Sequence, residues 1–325
     1  MHMYGVQPLE SWEMLPKPLY SKWRSFNCDN RVYKVAIQNQ EPLEITVCDL
    51  NNTSKVSLIA IMAATSSRGV ASPSTQSFSI FTMFLPSLVR TVDCGFRYMC
   101  VLGYDVGDAY FDSEAGLNET RIWFDVNVKN NLVKNNIEIS LLLVRVDNTN
   151  KKPGPVFIKM AVAAYNYGAH YFYRVNDDTE MLNKWPTILV KALESLPLKV
   201  GVVGPTCKQG NLDILTHDFV HRTHMEIFEN NYYPQELTDW WMDDWMTTVY
   251  GVQRTLRSQS VHVINHIELH GKRYEVELSN WKKLKSLVIA IAGRGKIVDW
   301  MSKMNVMEGL SDRNFSGLHP QIRSL

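Results

Sequence analysis

The chain has 325 residues, 45% of them apolar and 21% charged, enough to bury a sizeable core as one large α/β domain or two small ones. Its 34 basic and 33 acidic residues leave a formal net charge of +1. That balance excludes the broad basic surface of a nucleic-acid binder and leaves room only for a local phosphate site.

The N-terminal 23 residues lack the basic-then-apolar order of a leader, and no apolar run approaches the roughly 20 residues of a membrane span. The expectation is a soluble chain in the cytoplasm, or in a Golgi lumen only if an anchor has been removed. Cys28, Cys48, Cys94, Cys100 and Cys207 are odd in number and form no CxxC, which reads as mostly reduced thiols. The sequons at Asn51, Asn52, Asn118 and Asn314 read as chance matches.

Residues 1–53 form an N-terminal extension, with two alternating runs, 31–38 and 43–50, predicted as a hairpin. A βα rhythm follows. Residues 56–62 (VSLIAIM) are a buried strand running into the small polar stretch Ala63 to Ser67, then Arg68 and Gly69. Residues 77–92 are helical, kinked or started at Pro86. Residues 97–102 are a second strand, ending at a loop Gly103-Tyr104-Asp105, and residues 137–146 are a third. A helix over 155–167 has Pro in its first turn. Residues 169–175 (AHYFYRV) are a fourth strand, 185–196 an amphipathic helix, and 200–203 a fifth strand ended by Gly204-Pro205.

Strands alternating with helices predict an α/β fold with a mainly parallel, Rossmann-type sheet flanked by helices. In such sheets ligands bind beyond the carboxyl ends of the strands. The chain then divides into a nucleotide-binding half at 54–180, an acceptor-binding half at 181–275, and a C-terminal segment at 276–325 with helical patches and no assigned role.

Four stretches carry chemistry. The first is Tyr171-Phe172-Tyr173-Arg174-Val175-Asn176-Asp177-Asp178, an aromatic strand delivering adjacent carboxylates to a strand end. Two like charges there are costly unless a cation offsets them, and hard oxygen ligands suit Mg²⁺ or Mn²⁺ bridging to a diphosphate. The alternative is a turn in which Asn and Asp cap a following helix. The second is Asp239-Trp240-Trp241-Met242-Asp243-Asp244-Trp245. Aromatic faces stack on sugars, and a carboxylate can take a proton from a hydroxyl; the alternative is acids at a helix N-terminus with tryptophans in the core.

The third stretch holds His217, His221 and His224. A helix would place them on one face, either as a zinc-like set or, with His217, lining an acceptor cleft. The preceding loop 204–211 has the wrong spacing for a Walker P-loop. The fourth is Asn265-His266-Ile267-Glu268-Leu269-His270-Gly271-Lys272-Arg273. A late imidazole can complete a Mn²⁺ shell, with His270 favoured over His266 because Gly271 would let the chain turn over a diphosphate, and Lys272 or Arg273 can bind that diphosphate.

These features, in this order over roughly residues 55–275, resemble the GT-A glycosyltransferases. The resemblance implies that Asn176-Asp177-Asp178 stands for the DxD-like motif, with Asp178 on the metal and Asn176 toward the ribose. It implies that Asp243, beside Asp244, is the general base of an inverting enzyme. Thr65, Ser66 and Arg68 after the first strand, and Asp105 after the second, would hold the base and ribose. Trp240, Trp241 and Trp245 would form the acceptor platform. The stretch GPTCKQGNLDILTHDFVHRTHMEIF with DWWMDDW is similar to glycosyltransferases of chloroviruses, algae and protists. It points toward capsid-glycan decoration in a host cytoplasm, with UDP-xylose as donor. The competing classes are a nucleotidyltransferase, for which MAATSSRGV is a poor glycine-rich basic loop, and a non-catalytic glycan-binding module.

Overall fold

The computed structural model describes residues 56–239, 241–266 and 280–306. The expected hairpin at 31–38 and 43–50, Trp240, His270 and Arg273 lie outside the described residues.

Eight strands form one sheet that runs through both expected halves: β1 (Ser57–Ala64), β2 (Phe96–Asp105), β3 (Ile139–Val146), β4 (Tyr171–Asn176), β5 (Thr179–Met181), β6 (Val202–Cys207), β7 (Phe219–His221) and β8 (Thr255–Asn265), in the spatial order β3-β2-β1-β4-β7-β6-β8-β5. β3, β2, β1 and β4 are mutually parallel. β7 then runs antiparallel to β4 and β6, while β8 is parallel to β6 and antiparallel to β5. The α/β class and the Rossmann-type parallel core are as expected; beyond β4 the sheet is mixed.

The parallel strands read as continuous apolar runs because both faces are covered. Successive side chains alternate between faces. Ile59, Ile61, Tyr98, Cys100, Tyr171 and Tyr173 pack on one side, with Phe81, Leu85, Leu88, Leu189 and Leu193. Ala60, Met62, Met99, Val101 and Phe172 pack on the other, with Phe157, Met160, Trp245 and Met246. Each fully buried large side chain contributes about 1.5–3 kcal/mol relative to exposure.

The helices on the first side are α1 (Leu85–Thr91), entered through a π-helical turn at Ile80–Phe84, and α5 (Pro186–Glu194). Pro86 lies in the first turn of α1 and starts it. A helical stretch that the sequence pattern did not reveal, α2 (Glu114–Phe124) continuing through a π-turn into α3 (Asn130–Val133), follows the Ser113 cap, whose side chain accepts from the Gly116 N–H. The buried positions of α2 are Gly116, Thr120 and Phe124, of which only one is a large apolar residue. On the other side lie α4 (Pro153–Asn166), α6 (Thr223–Ile227), α7 (Trp241–Tyr250) and α8 (Asn280–Lys303). The helical patches expected after residue 276 are this one 24-residue helix, with Ala290, Ile297 and Met301 in the same core cluster as α7.

Three expectations need correction. Gly103, Tyr104 and Asp105 are strand, not loop, because β2 pairs with β3 through Asp105↔Val146. A Cβ at Gly103 would lie 2.5 Å from Val156 Cγ1 and 2.7 Å from Met160 Sδ, so the glycine there serves the close approach of α4. Residues 204–207 extend β6 rather than forming a flexible loop. Cys100 and Cys207 are free and buried, but Cys94 is disulfide-bonded, a departure from reduced thiols at that position. The Asn118 sequon sits within α2 with its Thr120 fully buried, in keeping with a chance match. No helix among the described residues is long and apolar enough to cross a membrane.

Candidate active site at the carboxyl ends of the central strands

Ala64 at the end of β1 lies beside Gly103 on one side and Asn176 on the other. The stretch after β1, the end of β2 and the Asn176-Asp177-Asp178 turn therefore share one edge of the sheet, where the strand order turns back from β1 to β4.

The left part of this edge is a polar cradle. Arg68 Nη1 is 2.8 Å from Asp105 Oδ2, and Arg68 Nη2 donates to the Lys151 carbonyl at 3.2 Å. Asn148 Nδ2 donates to Asp105 Oδ1 at 2.8 Å and to the Lys152 carbonyl at 2.8 Å. The loop itself is held by Asp108, whose Oδ2 accepts from Ser66 Oγ at 3.0 Å and from the Ser67 N–H at 2.8 Å. Burial would raise the Asp108 pKa, but the bonds from Ser67, Phe111 and Tyr110 outweigh it and keep the carboxyl below its usual value. Thr65 Oγ1 and Arg68 Nε are buried without a hydrogen-bond partner among the described residues. Each such atom costs about 1–3 kcal/mol, a cost that a polar ligand group at this edge would offset. Sequence reasoning named Thr65, Ser66, Arg68 and Asp105, and missed Asn148 and Asp108.

The Asn176-Asp177-Asp178 turn is fixed from beneath. Thr179 Oγ1 accepts from the Asn176 N–H at 3.1 Å, donates to Asn265 Oδ1 at 3.0 Å and lies 2.8 Å from His217 Nε2. Asp177 is buried, and its carbonyl accepts from Ser79 Oγ at 3.1 Å. The Asp178 carbonyl accepts from the His266 N–H at 3.0 Å. The next element is strand β5, and the following helix starts at Pro186 after Trp185. The alternative of a helix cap at this turn is thereby overturned.

His266 shares this rim through its backbone, while its Nε2 lies 2.9 Å from Glu180 Oε2. Arg90 approaches the other oxygen of Glu180 at 3.4 Å. Among the described residues no three His, Cys, Asp or Glu side chains converge as a self-contained metal site. A cation shared with a diphosphate needs fewer protein ligands, because the phosphate oxygens and water complete its shell. The half-buried Asp178 at a strand end fits that kind of sharing.

The residues expected on the acceptor side lie mostly on α7. Asp243 and Asp244 lie in its first turn, where the helix dipole favours negative charge. Asp243 Oδ1 pairs with Arg174 Nη2, and the Asp243 side chain remains 20% exposed. The Arg174 side chain is only 3% exposed and sits in the middle of β4. The signal that could have found it is a charge inside the buried run AHYFYRV, which demands a partner. Lys152 Nζ reaches Asp239 Oδ2 at 2.6 Å and ties the start of α4 to the segment before α7.

Two expected acceptor residues are placed elsewhere. Trp245 is 1% exposed and packs on Phe228 with ring centroids 5.2 Å apart; the helical period turns it, with Met242, Met246 and Val249, into the core. Trp241 is half-buried at the start of the helix. His217 is 1% exposed, bonded to Thr179 and Thr216. The single helix face expected for His217, His221 and His224 does not exist: they fall in a loop, in β7 and in α6. Burial lowers their pKa values to about 3, about 4 and about 4 respectively.

His224 gives a pH prediction. Its Nε2 faces the Tyr232 carbonyl at 2.8 Å and must carry the proton, so Nδ1 accepts from Tyr250 O–H at 2.8 Å. The folded pKa is depressed to about 4 against an unfolded value of about 6.5. Between those values the unfolded chain binds more protons, so stability falls as pH falls, by at most about 1.4 kcal/mol per pH unit for this residue. Urea unfolding at pH 7, 6 and 5 should show that decline, and His224→Gln should make it shallower. An unchanged slope in the variant would remove His224 from the account.

No family model matches this sequence, and no curated protein matches it. Among solved structures the chain is similar to S. aureus TarS 1-349 crystallised in complex with UDP-GlcNAc, at 11% identity over 72% of this chain and 66% of that one, with a TM-score of 0.45. It is similar to the UDP complex of the same protein at 12% identity over 72% and 65%, with a TM-score of 0.43. For a further TarS 1-349 structure the values are 12%, 64%, 60% and 0.42. The chain thus spans between 60% and 66% of those three chains. At 11–12% identity these are likenesses of chain path alone.

Proposed function

We propose that this chain is a glycosyltransferase of GT-A type that moves a sugar from a UDP-sugar to a glycan hydroxyl with inversion. One observation carries the reading: the Thr65–Arg68–Asp105 cradle, the Asn176-Asp177-Asp178 turn and the Asp243 carboxylate are set around one sheet edge, the last two joined by Arg174. The cradle takes the nucleoside. Asp178 would hold Mn²⁺ or Mg²⁺, and such an ion would supply charge neutralisation for the leaving group. Asp243 accepts the acceptor's hydroxyl proton as its oxygen bonds to the anomeric carbon; the bond from that carbon to the diphosphate breaks, and UDP leaves with the electron pair.

UDP-xylose, the donor that the resemblance read from the sequence implies, is the first to test. Trp245 in the core weakens the alternative of a non-catalytic glycan-binding face. The test is a thermal-shift series with UDP, GDP and ADP, each with Mn²⁺ or with chelator. UDP at a hundred times its Kd should stabilise the fold by about 2.7 kcal/mol, and more weakly under chelator. Stabilisation by no nucleoside diphosphate, or a product that retains the nucleotide, would overturn the proposal.

A further inference from the structure

Arg174 reaches both the strand-end motif and the acid on α7. Its Nη1 donates to Asn176 Oδ1 at 3.4 Å and to the Thr216 carbonyl at 2.6 Å. Its Nε donates to Asp218 Oδ2 at 3.2 Å and to Tyr233 O–H at 3.0 Å. Its Nη2 pairs with Asp243. The planar fork sends three nitrogens in three directions, which a lysine's single ammonium cannot reproduce.

The charges around it decide what it can do. Asp218 is fully buried and also accepts from Tyr232 and, at 2.6 Å, from Tyr233. Burial opposes the Arg174 charge, but Tyr233 and Asp218 hold the guanidinium pKa above its ordinary value, so it stays charged. His217 nearby is neutral. One guanidinium thus lies between two carboxylates, and the trio carries a formal charge of −1. Asp218, the inner and fully buried partner, balances Arg174, so Asp243 is gripped by one oxygen without a full counter-charge of its own.

We infer that Arg174 is a positioning residue for sugar transfer, holding the Asp243 carboxylate in register with the Asn176-Asp177-Asp178 turn through its three-way contacts. This rests on the glycosyltransferase reading above. A grip on one oxygen fixes the orientation of a carboxylate that is still 20% exposed, and orientation of a base within hydrogen-bond reach is what its efficiency requires.

The test measures UDP release by the full chain from UDP-xylose, UDP-glucose and UDP-N-acetylglucosamine, using the donor that the wild type turns over. Arg174→Lys should lower kcat about 10- to 100-fold while the donor KM stays within about twofold. The acid limb of its kcat profile should move to higher pH, because the displaced cation no longer stabilises the Asp243 carboxylate. In an Asp243→Asn background the same change should lower kcat no further, whereas a merely structural role would lower it equally in both backgrounds. Tyr233→Phe keeps every charge and frees one partner of Nε, so it covers the case in which Arg174→Lys fails to fold; it should lower kcat about 3- to 10-fold at constant donor KM. A folded Arg174→Lys or Tyr233→Phe with wild-type kcat, or additive losses in the double variant, overturns the inference alone. Absence of UDP release and of UDP binding by the wild type overturns the reading beneath it.

Discussion

Asp243→Asn should lower kcat for sugar transfer by roughly 10² to 10⁴ while leaving donor affinity near wild type. The loss corresponds to about 2.7–5.5 kcal/mol of barrier. Asparagine keeps the shape of the side chain and can still accept from Arg174 through its carbonyl, so the contact on which β4 and α7 meet survives. What disappears is the ability to take a proton. A hydroxyl is a weak acid, and the carboxylate removes its proton only as the new bond forms, from about 2.6–3.2 Å. Asp244 cannot replace it, because neighbouring residues on a helix diverge by about 100°. Asp244→Asn should chiefly raise the acceptor KM. The measurement is transfer at saturating donor for both variants. If Asp244→Asn is dead and Asp243→Asn is active, the two roles are exchanged; if both transfer at the wild-type rate, the pair only favours the start of α7.

Asp178→Asn should remove the Mn²⁺-dependent part of UDP binding, weakening it by at least about 10²-fold with the fold intact. The turn is held through its backbone carbonyls, which accept from His266 N–H at Asp178 and from Ser79 Oγ at Asp177, and by Thr179 beneath it. None of these bonds involves the Asp178 carboxylate, so they persist when it is neutralised. Calorimetric titration of UDP with Mn²⁺ and with chelator, together with a thermal midpoint, reads both quantities. A variant that binds UDP as tightly as wild type and still responds to Mn²⁺ would place the cation elsewhere.

Much of this architecture is visible in the order of residues. The runs VSLIAIM and AHYFYRV are mostly apolar or aromatic, with no polar-apolar alternation, because β1 and β4 are covered on both faces, a pattern that a one-dimensional reading detects. The strand-end positions of Arg68, Asp105 and Asp178 follow from that rhythm. Other elements left weaker traces. β8 spans eleven residues, TLRSQSVHVIN, in which polar and apolar positions mix; its partners β5 and β6 come from distant parts of the chain, and only their company makes it a strand. The three histidines matched a helical period, yet pairing of β7 with β4 and β6 outweighs a weak local preference.

The sequence by itself determined the α/β class, the central parallel strands and the edge at which polar residues gather, because periodicity and burial are local properties of a chain. Tertiary structure alone decided which polar groups meet. Arg174 and Asp243 are separated by 69 residues along the chain, Asp105 and Asn148 by 43, and no spacing rule connects them. It also decided that Trp245 and His217 are buried, since a side chain's neighbours across a packed interface are chosen by the partner element. A charge inside a buried strand announces that a counter-charge exists; only the folded chain names it as Asp218 and Asp243.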